Sequence, residues 1–466
     1  METLQRMANR GSISTGYDID NSCKFENDNS EGLVNNYSGD GDRKTWTFSG
    51  WVKRSELGVD QHIIGAAYSN IRFMTNDLLR VELYDGSATR YADLQRLFRD
   101  TSAWYHIVVA LDSTQGTAAN RVKIYINGVQ DTTFDNSTYT NMSEDDEFNF
   151  GEAASNFQVG YSFVGGANFK GFCGYFADFH YTDGVANDAD AFGEFDEDTG
   201  IWKPKAYAGS HGSKGIYFKF DDSSALGANS ASGGVGDFTE SNIAAADQAT
   251  DTPTNNFCVL STLWQYAHGN TISEGSTKIY GAANDWGGGK ASFGLTAGKW
   301  YWEIEQLAAG NTFMGLQTDG DSNIGSGNAQ SHNISVVFYT DGTLQYSGGS
   351  ETTTSASNSI GANSIVGFAL DLDSGTQTIK IYLDGSLITS FGSSGTCNLS
   401  TYNIEDTTVF PFVALYDRTV NMNFGGYTVT SISSAQADAN GYGTFEHAPP
   451  TGYYAVCTKN LSEFGG

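Results

Sequence analysis

The sequence predicts an all-β protein made of two tandem antiparallel β-sandwiches with little helix. Short runs that alternate apolar and polar residues recur along the 466 residues, and such alternation is typical of strands with one buried face. The chain also holds 56 Gly against 5 Pro, and 13% of its residues are Phe, Trp or Tyr. Glycine-bearing turns between short aromatic runs favour β-sandwiches over helical folds.

Changes of composition divide the chain into five segments. The clearest change covers residues 221–256, which are rich in Ser, Ala, Gly, Asn and Asp and nearly empty of large apolar side chains. Such a stretch is typical of a linker. The predicted segments are an N-terminal arm (1–21), a first sandwich (22–200), a connector with a Gly/Ser-rich linker (201–256), a second sandwich (257–430) and a C-terminal extension (431–466).

The predicted strands place their large side chains by alternation. Trp46 and Phe48 share one face of a strand at 45–52, and Trp300, Trp302 and Ile304 share one face of a strand at 299–305. On the opposite face of that second strand we expect Glu303 and Glu305 to meet solvent, at an edge of the sheet. A single short helix is predicted around residues 187–195.

One supersecondary pattern occurs twice. In each copy a buried strand ends near an Asp, a short turn follows, and a second strand ends in Lys-Ile-Tyr-x before a tight turn. The copies lie at 105–128 and 364–385, and their turns are Asn127-Gly128 and Asp384-Gly385. Both dipeptides favour two-residue hairpins because their residues tolerate positive φ. The repeat therefore predicts two sandwiches of related architecture.

Charge and composition exclude several partners. Asp and Glu number 54 against 25 Lys and Arg, which gives a formal net charge of −29. That sign disfavours nucleic acid and anionic membrane surfaces as partners. No apolar run approaches the length of a membrane span, and the start lacks the apolar stretch of a signal peptide. Five widely spaced Cys without a CxxC pair argue against a disulfide framework or a zinc site. We expect synthesis in a reducing cytoplasm without membrane insertion.

Motifs of catalysis are absent from the sequence. There is no Gly-x-Ser-x-Gly elbow, phosphate-binding loop, dinucleotide fingerprint, HxH or HExxH. Glu303 and Glu305 have a spacing that a glycosidase could use, but the Glu-x-Asp-x-Glu spacing usual in glucanases is missing. His106 lies in a strand that is predicted to be buried and is interpreted as a core residue. We therefore predict that the protein is not an enzyme.

Sugar binding is the chemistry that the sequence favours most. Aromatic rings and short polar side chains in polar, loop-like surroundings can hold a sugar by its C–H patches and its hydroxyl groups. The other tryptophans of the sandwiches lie in predicted strands, where packing is the simpler interpretation. The glycan-binding candidates are Trp264, Tyr266, Asn284, Asp285 and Trp286.

Residues 22–195 resemble concanavalin A-like or LamG-like jelly rolls, and residues 257–427 resemble SPRY domains. The first resemblance rests on motifs such as Trp-Thr-Phe-Ser-Gly-Trp-Val-Lys at 46–53 and Ala-Trp-Tyr-His-Ile-Val-Val at 103–109. The second rests on Gly-Lys-Trp-Tyr-Trp-Glu-Ile-Glu at 298–305 and Val-Asn-Met-Asn-Phe-Gly at 420–425.

The LamG-like resemblance implies that Ca²⁺ could be held by loop carboxylates and carbonyls. The solvated acidic loop is the simpler interpretation of each cluster. The candidate ligands are Glu144, Asp145, Asp146 and Glu147 in one cluster, and Asp196 and Asp198 in the other.

The whole chain is similar to a class of marine bacteriophage virion proteins. The shared stretches are Arg-Gly-Ser-x-Ser-Thr-Gly-Tyr-Asp-Ile-Asp-Asn-Ser-Cys at 10–23, Asp-Glu-Asp-Thr-Gly-x-Trp-Lys-Pro-Lys-Ala-Tyr at 196–207 and Asp-Thr-Pro-Thr-Asn-Asn-Phe-Cys at 251–258. This resemblance implies a fibre, spike or decoration protein of the virion. The interpretation we favour is a fibre or spike, and we expect the arm 1–21 to anchor it.

Such a protein would contact other virion proteins and host surface glycans, and its expected state is a homo-oligomer, with a trimer favoured. The alternatives left open are a capsid or tail decoration protein that contacts only proteins, and a glycan depolymerase.

Overall fold

The computed structural model describes residues 16–27, 30–153, 155–164, 168–265, 270–283, 286–318, 335–346, 349–351, 359–402 and 404–465. The chain divides into two compact units between Thr254 and Asn255. We call Ser14–Thr254 the N-terminal unit and Asn255–Gly466 the C-terminal unit. Strands dominate both units, so the predicted all-β fold is confirmed.

The strands of the N-terminal unit are short and paired antiparallel. They are β1 (Ser22–Phe25), β2 (Gly32–Asn35), β3 (Thr45–Arg54), β4 (Gln61–Ala66), β5 (Ser69–Phe73), β6 (Leu78–Tyr84), β7 (Thr89–Leu97), β8 (Tyr105–Asp112), β9 (Val122–Ile126), β10 (Val129–Asp131), β11 (Phe134–Ser137), β12 (Phe157–Val159), β13 (Tyr161–Val164), β14 (Asn168–Gly171), β15 (Gly174–Asp183), β16 (Gly193–Phe195), β17 (Trp202–Pro204), β18 (Ile216–Phe218), β19 (Thr239–Ser241) and β20 (Gln248–Ala249).

Two large sheets enclose one core in this unit. Sheet I has the order β10-β9-β8-β3-β15-β1-β20, with β18 also on β15, and sheet II has the order β11-β7-β6-β5-β4-β12-β2-β19. Trp46 and Phe48 of sheet I and Ile71 and Leu79 of sheet II belong to the same buried cluster. The alternation of these strands therefore gives each sheet an inner face that packs on the core and an outer face.

Residues 201–254, predicted as a connector, are built into the N-terminal unit. Strands β18, β19 and β20 pair with β15, β2 and β1. The large apolar residues of this stretch are buried in the common core, among them Phe218, Phe220, Leu226 and Phe238. The segment has the composition of a linker, but its few large apolar side chains anchor it in the core of the N-terminal unit.

The strands of the C-terminal unit are β21 (Leu260–Gln265), β22 (Thr271–Ser273), β23 (Lys278–Tyr280), β24 (Trp286–Ala291), β25 (Lys299–Gln306), β26 (Thr312–Thr318), β27 (Ser335–Tyr339), β28 (Leu344–Tyr346), β29 (Gly349–Glu351), β30 (Ser364–Asp371), β31 (Thr378–Leu383), β32 (Ser386–Leu387), β33 (Cys397–Asn398), β34 (Val409–Tyr416), β35 (Thr419–Asn423) and β36 (Tyr454–Ala455). Sheet III has the order β21-β24-β34-β26-β27-β28-β29. Sheet IV has the order β22-β23-β35-β25-β30-β31-β32, with β33 on β31 and β36 on β25.

The C-terminal extension is packed onto the outer face of sheet IV. Strand β36 runs parallel to β25, with Trp300 opposite Tyr454. Phe445 and Tyr453 of the extension form a buried cluster with Tyr301 of β25. Trp300, Trp302 and Ile304 point the other way into the main core, as their alternation predicts.

The repeated hairpin is present in both units with the same turn geometry. Strand β8 pairs with β9, and β30 pairs with β31. The two turns have positive φ at both central residues, 49° and 78° at Asn127 and Gly128 and 47° and 76° at Asp384 and Gly385. In each copy the first turn residue also accepts a backbone N–H through its side chain, from His106 or from Ile365 at 2.8 Å.

Helix is sparse in the described residues. The predicted helix at 187–195 is only the 3₁₀ turn Ala189–Ala191 followed by β16. The other 3₁₀ turns are Ala118–Asn120, Tyr139–Asn141, Ala245–Asp247 and Leu399–Tyr402, and the α-helix α1 is Thr458–Phe464. Across this described part of the chain no helix is long and apolar enough to cross a membrane.

Because Phe218 of β18 is buried in the core, truncating its side chain should destabilise the protein. Phe218→Ala should lower the free energy of unfolding by about 3–5 kcal/mol, because it leaves a cavity under sheet I. The exposed Ser230→Ala in the same segment should change it by less than about 0.5 kcal/mol. Urea denaturation measures both, and equal stability of the two variants would show that residues 201–254 are a linker after all.

Candidate functional site

Trp264 and Trp286 lie together on the outer face of sheet III. Strand β21, which carries Trp264, pairs with β24, which begins at Trp286. Strand β24 then pairs with β34, and this places Trp286 opposite Tyr416. Ala291 and Leu415 of these strands are in the main core. By alternation Trp286 and Tyr416 therefore point away from it.

An aromatic layer surrounds the two tryptophans on this face. The ring centroid of Trp286 is 5.0 Å from that of Phe313 and 5.8 Å from that of Tyr416. Phe313 in turn stacks on Tyr339 at 4.4 Å. Phe313 is the buried member of this layer and clusters with the buried Phe412, whereas Trp264, Trp286 and Tyr339 pack against them only partly buried. We call Trp264, Trp286, Phe313, Tyr339 and Tyr416 the aromatic face.

Lys290 fixes the orientation of Trp264 at this face. Its Nζ lies 4.0 Å from the centroid of the Trp264 ring and donates a hydrogen bond of 2.9 Å to the carbonyl oxygen of Thr318. The Lys290 side chain is itself buried, so a cation–π contact in this position is only weakly screened by water. The Trp264 ring is therefore held by a partner on the neighbouring strand.

The arrangement can bind a ligand by ring stacking. Rigid, partly buried rings cost little conformational entropy when a ligand packs on them, and a sugar ring offers apolar C–H patches to such surfaces. Of the predicted glycan-binding residues, the structure brings Trp264 and Trp286 to one face. The loop-like surroundings predicted for them were wrong, because Trp264 lies on β21 and Trp286 on β24. Tyr266, Asn284 and Asp285 lie outside the described residues.

The sequence prediction missed Phe313, Tyr339 and Lys290 at this face. The alternation of β26 gives the signal for Phe313, because Met314 and Leu316 on the same strand are in the core. That Phe313 meets Trp286 depends on both strands pairing with β34. Such long-range pairing is not visible in local sequence.

The first acidic cluster is a set of partners for nearby cations. Glu147 lies 3.3 Å from Arg43, Asp145 lies 3.3 Å from Lys44, and Glu144 lies 3.9 Å from Arg121. Asp146 accepts the backbone N–H of Ser143. Three of these carboxylates therefore tie their loop to residues outside it, and Asp146 closes a turn within the loop.

The second acidic cluster is a turn. Asp196 accepts hydrogen bonds from the backbone N–H groups of Asp198 and Thr199 and lies 3.2 Å from Lys203. Asp198 is exposed. Among the described residues no three His, Cys, Asp or Glu side chains form a group that could hold a metal ion. Calcium binding stays a prediction from the family resemblance.

Glu303 is buried, contrary to the prediction that it meets solvent at a sheet edge. Strand β25 lies inside sheet IV, between β35 and β30. The Glu303 carboxylate accepts the backbone N–H groups of Glu446 at 2.9 Å and His447 at 2.8 Å, one on each oxygen, and the Tyr301 hydroxyl at 3.0 Å. Its burial raises the pKa of the carboxyl. The side chain is thus the anchor of the C-terminal extension.

His106 is a buried residue of sheet I whose hydrogen bonds define its tautomer. The Trp202 indole N–H donates to Nδ1 at 3.0 Å. The neutral ring therefore carries its proton on Nε2 and donates it to the Ser49 hydroxyl, 2.9 Å away. Because Nε2 already holds a proton, His106 cannot take one from Ser49, and the pair is not an activated nucleophile.

Comparison with known proteins gives one family match. The model of the Concanavalin A-like lectin/glucanases superfamily, Laminin_G_3, matches residues 27–180. That region lies within the N-terminal unit, and the match indicates a carbohydrate- or protein-binding domain. No curated protein matches the chain.

Solved structures of low similarity include domains of three kinds. The SPRY domain of human HERC1 is 16% identical and covers 34% of this chain and 96% of its own, with a TM-score of 0.27. Mouse laminin alpha1 chain, domains LG4-5, is 9% identical over 88% of this chain and 91% of its own, with a TM-score of 0.30. A SAP-like pentraxin from Limulus polyphemus is 16% identical over 37% of this chain and 80% of its own, with a TM-score of 0.28. These TM-scores are too low to transfer any property.

The burial of Glu303 predicts that its carboxylate contributes more to stability than that of Glu305. Glu303→Gln should lower the free energy of unfolding by about 1–3 kcal/mol, because an amide has one acceptor oxygen and leaves one buried backbone N–H unpaired. Glu305→Gln should cost less, since Glu305 is half-buried and accepts from the side chains of Asn421 and Thr430, which can rotate. Urea denaturation would contradict this account if both variants lost the same stability.

Buried histidines predict a loss of stability in acid. Burial lowers the pKa of His106 to about 3 and that of His211 to about 4, whereas an unfolded chain titrates His near 6.5. Between these values the unfolded chain binds more protons, so the free energy of unfolding falls as the pH falls from 6.5 toward 4. The slope of the urea midpoint against pH should be smaller in His106→Gln than in the parent, and an unchanged slope would exclude His106 as a contributor.

Proposed function

We propose that this chain is a non-enzymatic virion surface protein that binds host-cell glycans through its aromatic face. The observation that carries the proposal is the pair of tryptophans, Trp264 and Trp286, on the outer face of sheet III. Both rings are partly buried and each packs on neighbouring side chains, so both are oriented before a ligand arrives. Pre-orientation of the rings lowers the conformational entropy that a stacking ligand would otherwise cost.

The charge balance supports a neutral or weakly charged glycan. With a net charge of −29 the protein repels strongly acidic polymers at long range. Close to the rings, Lys290 supplies one local positive charge. The ligand class that fits both facts is a polysaccharide without strongly acidic groups, and the contact would rest on stacking more than on ion pairing.

The virion assignment is supported by sequence resemblance. The stretches 10–23, 196–207 and 251–258 are similar to those of marine phage virion proteins. On a fibre or spike many copies act together, so weak binding at each aromatic face becomes firm attachment through multivalency. A homo-trimer anchored to other virion proteins through its arm is the assembly that this proposal includes.

Alanine variants of the two tryptophans test the proposal. Trp264→Ala and Trp286→Ala should each weaken binding to the glycan by about tenfold or more, because a stacking ring at a binding surface contributes well over 1 kcal/mol. The measurement is biolayer interferometry against a panel of immobilised bacterial surface polysaccharides. Leu263→Ala is the matched control, since Leu263 is 63% exposed on the same strand.

Two results would count against the proposal. Unchanged binding of both tryptophan variants, with the thermal melts of all variants equal, would place the glycan site elsewhere. Absence of any polysaccharide binding by the parent protein, together with capture of capsid or tail protein, would favour the decoration role instead.

A further inference from the structure

A lysine and two carboxylates are buried in contact with one another in the N-terminal unit. The side chains of Lys24, Glu31 and Asp247 are at most 9% exposed. The Lys24 Nζ lies 3.2 Å from each oxygen of Glu31 and 3.0 Å from Oδ1 of Asp247. Burial of charged groups costs desolvation free energy, and a reaction that makes these groups neutral removes that cost.

Regular structure holds all three residues in place. Lys24 is on β1 between Cys23 and Phe25, which point into the core, so it lies on the outer face. Glu31 directly precedes β2, and its Oε2 also accepts the backbone N–H of Glu26 at 2.7 Å. Asp247 ends a 3₁₀ turn immediately before β20, which pairs with β1. The reacting groups are therefore pre-positioned as intramolecular neighbours.

We propose that Lys24 and Asp247 join spontaneously in an intramolecular amide bond, with Glu31 as the proton carrier. This cross-link is independent of glycan binding. The proton that starts the reaction is already present, because transfer of one proton from the Lys24 ammonium to the Asp247 carboxylate gives a neutral amine and a neutral carboxylic acid.

The chemistry of the step balances without any other reactant. The Lys24 nitrogen attacks Cγ of Asp247, and a nitrogen–carbon bond forms. Glu31 accepts the proton that the nitrogen loses and gives it to the leaving hydroxyl group of Asp247. The carbon–oxygen bond breaks, one water molecule leaves, and Glu31 is again a carboxylate. Nothing is oxidised or reduced.

Asp247 is the acceptor, and Glu31 is the carrier, because of their hydrogen bonds. Oδ2 of Asp247 accepts the backbone N–H of Ala244 at 2.8 Å. That donor faces the oxygen on which negative charge would develop during the attack, and such donors stabilise the tetrahedral intermediate. Both oxygens of Glu31 lie at the same distance from the amine, a position suited to proton transfer. Burial, then Asp247 and Glu31, raise the pKa of the neighbouring Cys23 thiol, as expected where carboxylates outnumber amines.

A second buried pair in the same unit provides an internal control. The Lys53 Nζ lies 2.6 Å from Oδ2 of Asp251. The other carboxylate oxygen of Asp251 accepts the Trp104 indole N–H at 3.1 Å. We assign the cross-link to Lys24 because Glu31 lies beside its amine as a proton carrier. Replacing Lys53 should therefore leave it intact.

The decisive measurement is the intact mass of the full chain under denaturing conditions. The expected mass is lower than the sequence mass by one water molecule, and protease digestion should yield a branched peptide that joins Lys24 to Asp247. An intact mass equal to that of the sequence would overturn the proposal.

Variants assign the bond to its residues. Lys24→Arg keeps the charge but cannot form the amide, so it should show the full sequence mass, as should Asp247→Ala. Glu31→Gln should show the full mass while remaining folded by circular dichroism. Lys53→Met should keep the loss of one water. A folded Lys53→Met variant with the full mass, or a Lys24→Arg variant that still lacks one water, would show that the assignment to Lys24 is wrong.

Discussion

Buried carboxylates hold the C-terminal segment of each unit against the outer face of a sheet, and the rest of the architecture depends on these contacts. In the N-terminal unit, Asp247 and Asp251 meet Lys24 and Lys53. In the C-terminal unit, Glu303 accepts two backbone N–H groups of the extension. Removing either partner of such a contact leaves a buried polar group unpaired, which costs more than the contact contributes.

In the C-terminal unit these contacts determine which outer sheet face is covered and which is accessible to a ligand. The outer face of sheet IV is packed by the extension through Tyr301, Phe445 and Tyr453. On the outer face of sheet III, by contrast, Trp264 and Trp286 are only partly buried. In both units the C-terminal segment packs on the outer face of a sheet, so that face is buried by the chain itself. The aromatic face is the surface of the C-terminal unit for which we propose a binding function.

Local sequence predicted the strands well and their neighbours poorly. The alternation at Trp300, Trp302 and Ile304, and the turn at Asn127-Gly128, depend only on nearby residues, and the structure contains both. The solvent exposure expected for Glu303 was wrong because the C-terminal extension, more than a hundred residues away in sequence, covers the outer face of sheet IV and bonds the carboxylate through Glu446 and His447. For the same reason composition alone assigned residues 201–256 to a connector, although those up to Thr254 belong to the N-terminal unit. The tryptophans of the candidate site were found by their polar surroundings, but Phe313 and Lys290 required the strand order.

We propose that glycan contacts the aromatic face of sheet III. The most direct test is ¹⁹F NMR of protein labelled with 5-fluorotryptophan, titrated with a polysaccharide that binds the parent chain. The chain has 8 Trp, and each resonance can be assigned by single replacement. Glycan contact at this face should shift the resonances of Trp264 and Trp286 while those of the core residues Trp46 and Trp302 stay in place. Shifts confined to other tryptophans, with Trp264 and Trp286 unmoved, would contradict it.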